Sequence, residues 1–294
     1  MIQMGLSKRH HYLPEVYLKG FTADDGKLSI YDIRRKSLRK GRFSPKQVFY
    51  EWNRNTLEIH NLKTDFLEGL YKNIDQAVTP TLKKIQKCSN NETLTPYDYF
   101  YLILFQGVTY WRIPSTDIAI VKHIKTASRQ DLIVKVFDSV SDEEVSDEMF
   151  KQLTNEEAFI ESYRIPKAIS DYLRSNKKDL VNSWKISYSE SSPYLHLIGD
   201  NPILTLEDDF DNILDTESIF PLSNGKLLWH LSSGFPSVIS PEITVSIDQL
   251  IFLQSERYVC GPNPEYLKFV ASMCNKPYSK EIINYFKQEV FHKL

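Results

Sequence analysis

Two adjacent histidines, His10 and His11, follow Lys8 and Arg9 near the start of this 294-residue chain. Repulsion from the two cations favours neutral imidazole, the form that ligates a metal ion or accepts a proton. The plainer alternative is structural: one ring bonds a backbone carbonyl while Tyr17, Leu18 and Phe21 anchor a short helix. Three further polar residues stand beside apolar runs. Glu68 lies next to the stripe Phe66, Leu67 and Leu70, Arg112 ends a strongly apolar segment that also holds Gln106, and Asp200 opens Asp200-Asn201-Pro202 after Tyr194, Leu195, Leu197 and Ile198. A carboxylate buried without a partner is costly, so a buried Glu68 needs Arg, His or a metal ion, and Arg112 is its natural cationic partner. Arg112 equally suits a cap for its own helix, and Asp200 an Asx turn before Pro202.

If they converge, His11, Glu68 and Asp200 supply an imidazole and two carboxylates to one divalent cation, Mg or Mn. Arg112, Gln106, Arg9 and Lys8 would then contact the substrate. That set is suited to metal-assisted phosphodiester cleavage, a nuclease acting on RNA or DNA. The first fifty residues carry eleven Lys and Arg against four acids, which would seat a polyanion, although a solvated hairpin face gives the same count. The competing expectation is a non-enzymatic module that recognises nucleic acid or protein through an aromatic-rich surface, with 17 Tyr, 16 Phe and 4 Trp available.

Other chemistries are excluded by what is missing. The ten glycines never lie closer than six positions apart, which removes G-x-G-x-x-G, the P-loop and G-x-S-x-G. Cys88, Cys260 and Cys274 form neither a C-x-x-C pair nor an even disulfide framework, and no histidine precedes Glu as H-E-x-x-H requires. A reducing cytoplasm is the expected compartment. The longest apolar stretch, Tyr99 to Trp111, is too short and too polar for a bilayer, so no membrane association is expected.

The elements that must position these residues fall into three zones of one integrated unit: 1–60, 64–180 and 184–294. In the first, strands are expected at Leu28 to Ile33 and Gln47 to Trp52. The second is a helical block over Asp65 to Cys88 (interrupted by Pro80), Thr95 to Arg112, Asp117 to Phe137 and Asn155 to Ser175. An acidic linker, Asp138 to Glu148, is expected to be a mobile loop. In the third, alternating runs such as Trp184, Ile186 and Tyr188, Leu227 to Leu231, and Ile243, Val245 and Ile247 predict antiparallel strands, followed by helices at Pro264 to Met273 and Ser279 to Phe291. The fold class is α+β: a small N-terminal sheet, a central helical block, then C-terminal antiparallel strands and closing helices.

The opening H-Y-x-P-x-x-Y-L-x-x-F reads as His11, Tyr12, Pro14, Tyr17, Leu18 and Phe21, followed by an Asp-Gly turn and a strand with Leu28, Tyr31 and Asp32. Further on stand Phe66-Leu67-Glu68, then Gln106, Arg112 and Pro114, then Asp200-Asn201-Pro202 and Pro221-Leu222-Ser223. This order resembles a widespread bacterial family known as a domain of unknown function, number 4238. Gly199 stands where that family more often has Ser or Thr. The resemblance covers nearly the whole chain and implies no activity; a bacterial defence or toxin effector is one expectation for a compact nuclease of this kind.

Overall fold

The computed structural model describes residues 8–59, 62–87, 94–138, 140–175, 183–188, 196–208, 210–232, 239–276 and 278–292. Short strands open the chain: β1 (Arg9–His11), β2 (Ser29–Asp32), β3 (Ser37–Leu38), β4 (Tyr50–Trp52), β5 (Leu57–Ile59) and β6 (Leu62–Thr64), with the one-turn helix α1 (Glu15–Leu18) between the first two. The helical block comprises α2 (Phe66–Lys87), α3 (Pro96–Arg112), α4 (Asp117–Thr126), α5 (Asp147–Leu153) and α6 (Glu157–Arg174). There follow β7 (Trp184–Tyr188), β8 (Ile198–Gly199), β9 (Leu204–Thr205), β10 (Ser218–Ser223), β11 (Lys226–His230), α7 (Pro241–Gln254), β12 (Tyr258–Gly261), α8 (Pro264–Met273) and α9 (Lys280–His292).

Pairing between these strands is antiparallel throughout the described residues. β1 pairs with β4, and β5 with β6; one four-stranded sheet has the order β7-β11-β10-β9 and another β3-β2-β12-β8. The second sheet joins distant parts of the chain, with Tyr31 opposite Val259 and Cys260 opposite both Ile30 and Ile198. The fold is α+β, and no described helix is long and apolar enough to cross a membrane.

The opening motif is a core anchor. Tyr12, Tyr17, Leu18 and Phe21 are all fully buried, and the Tyr17 ring meets Phe21, Phe105 and Phe220 at 5.3, 5.4 and 5.3 Å. Its hydroxyl donates to the Pro221 carbonyl at 2.5 Å, so the first helix is fastened to β10. Each apolar side chain buried this way contributes roughly 1.5–3 kcal/mol. Helix α3 begins where Thr95 and Asp98 form a reciprocal capping box with Pro96 at the first helical position, and it packs against α2 and α6.

The structure departs from the expected elements in several places. Ile243, Val245 and Ile247 lie on α7, not on a strand: the Ser240 hydroxyl caps the Ile243 N–H, Pro241 sits at the first position, and Ile247, Leu250 and Ile251 continue a helical stripe. The helix expected over Asp117 to Phe137 ends at Thr126, because Ala127 is extended and Ser128 and Asp131 bond each other's backbone in a turn. Helix α2 runs through Pro80. Gln47 belongs to a 3-10 turn (Pro45–Gln47), and the strand starts only at Tyr50. At the acidic linker, Arg129 bonds Glu144, Asp147 and the Val145 carbonyl. Cys88, Tyr194 and Leu195 lie outside the described residues.

Candidate functional site

The β1–β4 ribbon sets the geometry. Its register places Arg9 opposite Trp52, His10 opposite Glu51 and His11 opposite Tyr50. Side chains alternate along a strand, so Arg9, His11, Tyr50 and Trp52 share one face, with His10 and Glu51 on the other. On the first face the Arg9 guanidinium lies 5.1 Å from the Tyr50 ring centre and 5.2 Å from that of Trp52. Tyr50 meets Trp52 edge-on at 6.0 Å and His11 at 5.6 Å. Trp52 is 59% exposed, the behaviour of a contact residue and not of a core residue.

His11 forms the inner end of this face. Burial holds its pKa below the ordinary value; Glu15 opposes that, Arg112 adds to it, and a hydrogen bond to the Lys46 backbone and the charge of Glu68 oppose it again. Its Nε2 is buried with no hydrogen-bond partner among the described residues. The ring is therefore kept neutral with one nitrogen unused, the state of a proton acceptor.

Behind it, α2 presents Glu68 and, seven residues on and so on the same face, Asp75. Glu68 Oε2 accepts from Asn55 Nδ2 at 2.6 Å. The Asn55 backbone N–H in turn donates to His10 Nδ1 at 2.8 Å, and His10 Nε2 lies 3.9 Å from Asp65. Asp75 takes both of its bonds, at 3.0 Å each, from Nη1 of Arg112, whose guanidinium also covers the Tyr71 ring at 4.3 Å. Burial pushes the Asp75 carboxyl up in pKa and Arg112 draws it back. Arg112 is 3% exposed, so it is a structural ion-pair member with no edge facing solvent for a phosphate.

The structure thus gathers His11, Glu68 and Arg112 but not Asp200. Asp200 lies on the side of Tyr12, whose hydroxyl feels its charge, and consecutive residues point opposite ways. Its carboxylate accepts the backbone N–H groups of Glu256 at 3.0 Å and Arg257 at 2.7 Å, while its own N–H donates to Tyr258 O at 3.2 Å. Burial raises its pKa, and these N–H donors oppose the rise. It is a turn anchor. Consequently the expected ligand set of His11, Glu68 and Asp200 is not assembled, and no group of three His, Cys, Asp or Glu among the described residues is placed to hold a metal ion. Gln106 is buried away from the ribbon, bonding Ser218 Oγ at 2.9 Å, and Lys8 sits exposed at the outer edge beyond Arg9.

On the second ribbon face, Glu51 binds both Arg54 (2.9 Å) and Arg257 (2.8 Å), and Arg54 joins Asp117 and thereby Arg164. This ion-pair network fixes the ribbon to α4 and α6. Sequence reasoning missed Asp75, though its seven-residue spacing from Glu68 was a signal, and missed Tyr50, Trp52, Arg39 and Arg257, whose grouping depends on strand register.

A family model described as a protein of unknown function, DUF4238, matches residues 9–261. The chain belongs to this family. The match opens on the first residue of β1 and closes on the last of β12, so in this DUF4238 protein both the ribbon and the Asp200 turn lie inside the family's span. No curated protein and no solved structure matches the chain.

Proposed function

We propose that this protein binds single-stranded nucleic acid across the β1–β4 face. The observation that carries the reading is the Arg9 guanidinium held against the Tyr50 and Trp52 rings at 5.1 and 5.2 Å, with more than half of Trp52 exposed. Cations that neutralise phosphate beside rings on which any base can stack form a sequence-tolerant platform for unpaired strands. Lys8 extends the cationic edge. Anisotropy of labelled single-stranded RNA and DNA 12-mers and of the matching duplexes tests it. Trp52→Ala should weaken single-strand binding about 5- to 150-fold, the loss of one stacked base at about 1–3 kcal/mol. Absence of binding at low salt for every oligonucleotide would end the proposal.

A second reading, phosphodiester cleavage by a nuclease, is favoured by His11 Nε2, an unpartnered nitrogen of a neutral imidazole at the inner end of the same face with Glu68 close by. Here His11 would act as the general base. A divalent cation, Mg or Mn, would be held by Glu68 and the phosphate oxygens of the nucleic acid, since His11 Nε2 is kept for the proton and Asp200 serves the 256–258 turn. Incubation of labelled RNA and DNA with Mg²⁺, Mn²⁺ or EDTA, repeated with His11→Ala, decides this. Cleavage that survives His11→Ala, or none in any condition, refutes it.

A further inference from the structure

A cleft of about 480 Å³ separates the β1–β4 ribbon from the β3-β2-β12-β8 sheet. Tyr50, Glu51 and Trp52 wall it on one side and Arg39, Arg257 and Tyr258 on the other. Its size falls within the range of pockets that take ligands as large as a nucleotide. The two arginines are held differently. The Arg39 guanidinium lies 5.1 Å from the Phe43 ring centre and 5.6 Å from that of Tyr258, and has no carboxylate or hydrogen-bond partner among the described residues. A guanidinium braced by aromatic rings keeps its planar fork of donors preorganised, the arrangement that suits a phosphate. Arg257 gives Nη1 to Glu51 at 2.8 Å, and its backbone is pinned by the Asp200 carboxylate at 2.7 Å, which fixes where its side chain leaves the strand. Glu51, the acid in the cleft, is already shared between Arg257 and Arg54.

Phe49, which also lines the cleft, has φ +53°, a left-handed conformation that a bulky side chain adopts only at a cost. It directs the chain out of the 3-10 turn and into β4, so that Tyr50 and Trp52 stand at the rim.

We infer that this cleft is a nucleotide site, with Arg39 and Arg257 taking the phosphate on the Glu51 side of β4 and the base reaching over the rim of β4 to the exposed Trp52 ring. The inference extends the reading of the ribbon face, because Tyr50 and Trp52 belong to both. The phosphate has two sources, a free mononucleotide or the end of a bound strand, and both present the same group to Arg39.

The test uses the intact protein and follows tryptophan emission, in which Trp52 stands apart from the buried Trp111, Trp184 and Trp229. Adenosine 5′-monophosphate, adenosine, inorganic phosphate, and single-stranded 12-mers with and without a 5′-phosphate are titrated separately. The monophosphate should bind at least tenfold more tightly than adenosine, and Arg39→Met, which keeps an aliphatic stem on the rings, should remove that advantage. Arg34→Gln, an exposed change on the turn after β2, should not. A strand-end site requires the 5′-phosphorylated 12-mer to exceed its 5′-hydroxyl counterpart by a similar factor; equal binding of the two with tight monophosphate binding assigns the site to free nucleotides. No response to the monophosphate at millimolar concentration, or a response unchanged in Arg39→Met, overturns the inference. If 12-mers bind through Trp52 while the monophosphate does not, only the cleft assignment fails. If the monophosphate binds and no 12-mer does, the ribbon reading fails and the cleft stands.

Discussion

Asp75 and Arg112 offer a sharp test of how the polar cluster behind His11 is held. Arg112 is 3% exposed and its Nη1 is satisfied by the two Asp75 oxygens at 3.0 Å each, while its Nε has no partner among the described residues. Asp75→Ala leaves the guanidinium buried without that acceptor. Breaking a buried pair costs about 3–5 kcal/mol, and the 19% exposure of the Asp75 side chain places this case near about 3 kcal/mol. For a chain of 294 residues, an unfolding entropy of about 2.1 cal/mol/K per residue converts that into a fall in Tm of about 5 °C. The pair itself is another matter. Burial drives the Asp75 pKa upward in spite of Arg112, so desolvation takes back much of what the attraction provides. Asp75→Leu combined with Arg112→Met, which leaves a flexible apolar chain over the Tyr71 ring, should therefore lie within about 1 kcal/mol of the parent. Calorimetry and urea unfolding of the two variants measure both quantities. A single variant as stable as the parent, or a double variant no better than the single, would refute the reasoning. Oligonucleotide binding should survive in the double variant, because Arg112 faces no solvent.

Three further outcomes are expected. Burial brings the pKa of His123 from its ordinary 6.5 down to about 4, so the folded state resists its protonation, and stability present above pH 6.5 is lost as the pH falls toward 4. His123→Phe keeps a ring against Tyr163, stacked at 6.0 Å in the parent, and should lose less Tm than the parent between pH 7.5 and 5; equal losses would count against it. A Cβ at Gly199 would stand 1.9 Å from Ser255 Oγ and 3.2 Å from Ile251 Cγ2, so Gly199→Ala should cost about 1–3 kcal/mol in urea unfolding and be partly rescued by Ser255→Ala. Tyr17→Phe removes the bond to Pro221 O and should cost about 1–2 kcal/mol with no change in oligonucleotide binding.

Where a local signal was sufficient, the sequence was readable. Thr95, Pro96 and Asp98 announce α3 because a capping box is complete within four residues, and Asn263 and Pro264 do the same for α8. The alternation of Ile243, Val245 and Ile247 misled because five residues of period two also contain the helical pair Ile243 and Ile247, and the Ser240 cap decides between them. Within the site, although Arg112 pairs with Asp75 and Glu68 with Asn55 instead of with each other, a place for Glu68 and Arg112 near one another follows from an apolar stripe on α2 and the end of α3. The separation of Asp200 does not, since it depends on which side of one peptide unit His11 and Tyr12 point. The platform of Arg9, Tyr50 and Trp52 was the least legible part: it exists only in the register Arg9 to Trp52, set by the turns between the two strands.

The pairing of Tyr31 with Val259 has a temporal consequence. During synthesis β2 is made well before its partner β12, so one edge of the strand stays open to wrong pairing until β12 emerges. Contacts so distant along the chain also slow the final collapse. Arg39 and Arg257 lie on the two halves of this junction, so a nascent chain has no complete cleft until the residues around Arg257 have been made. Ligand competence would be acquired in one step, when the strand after Arg257 docks.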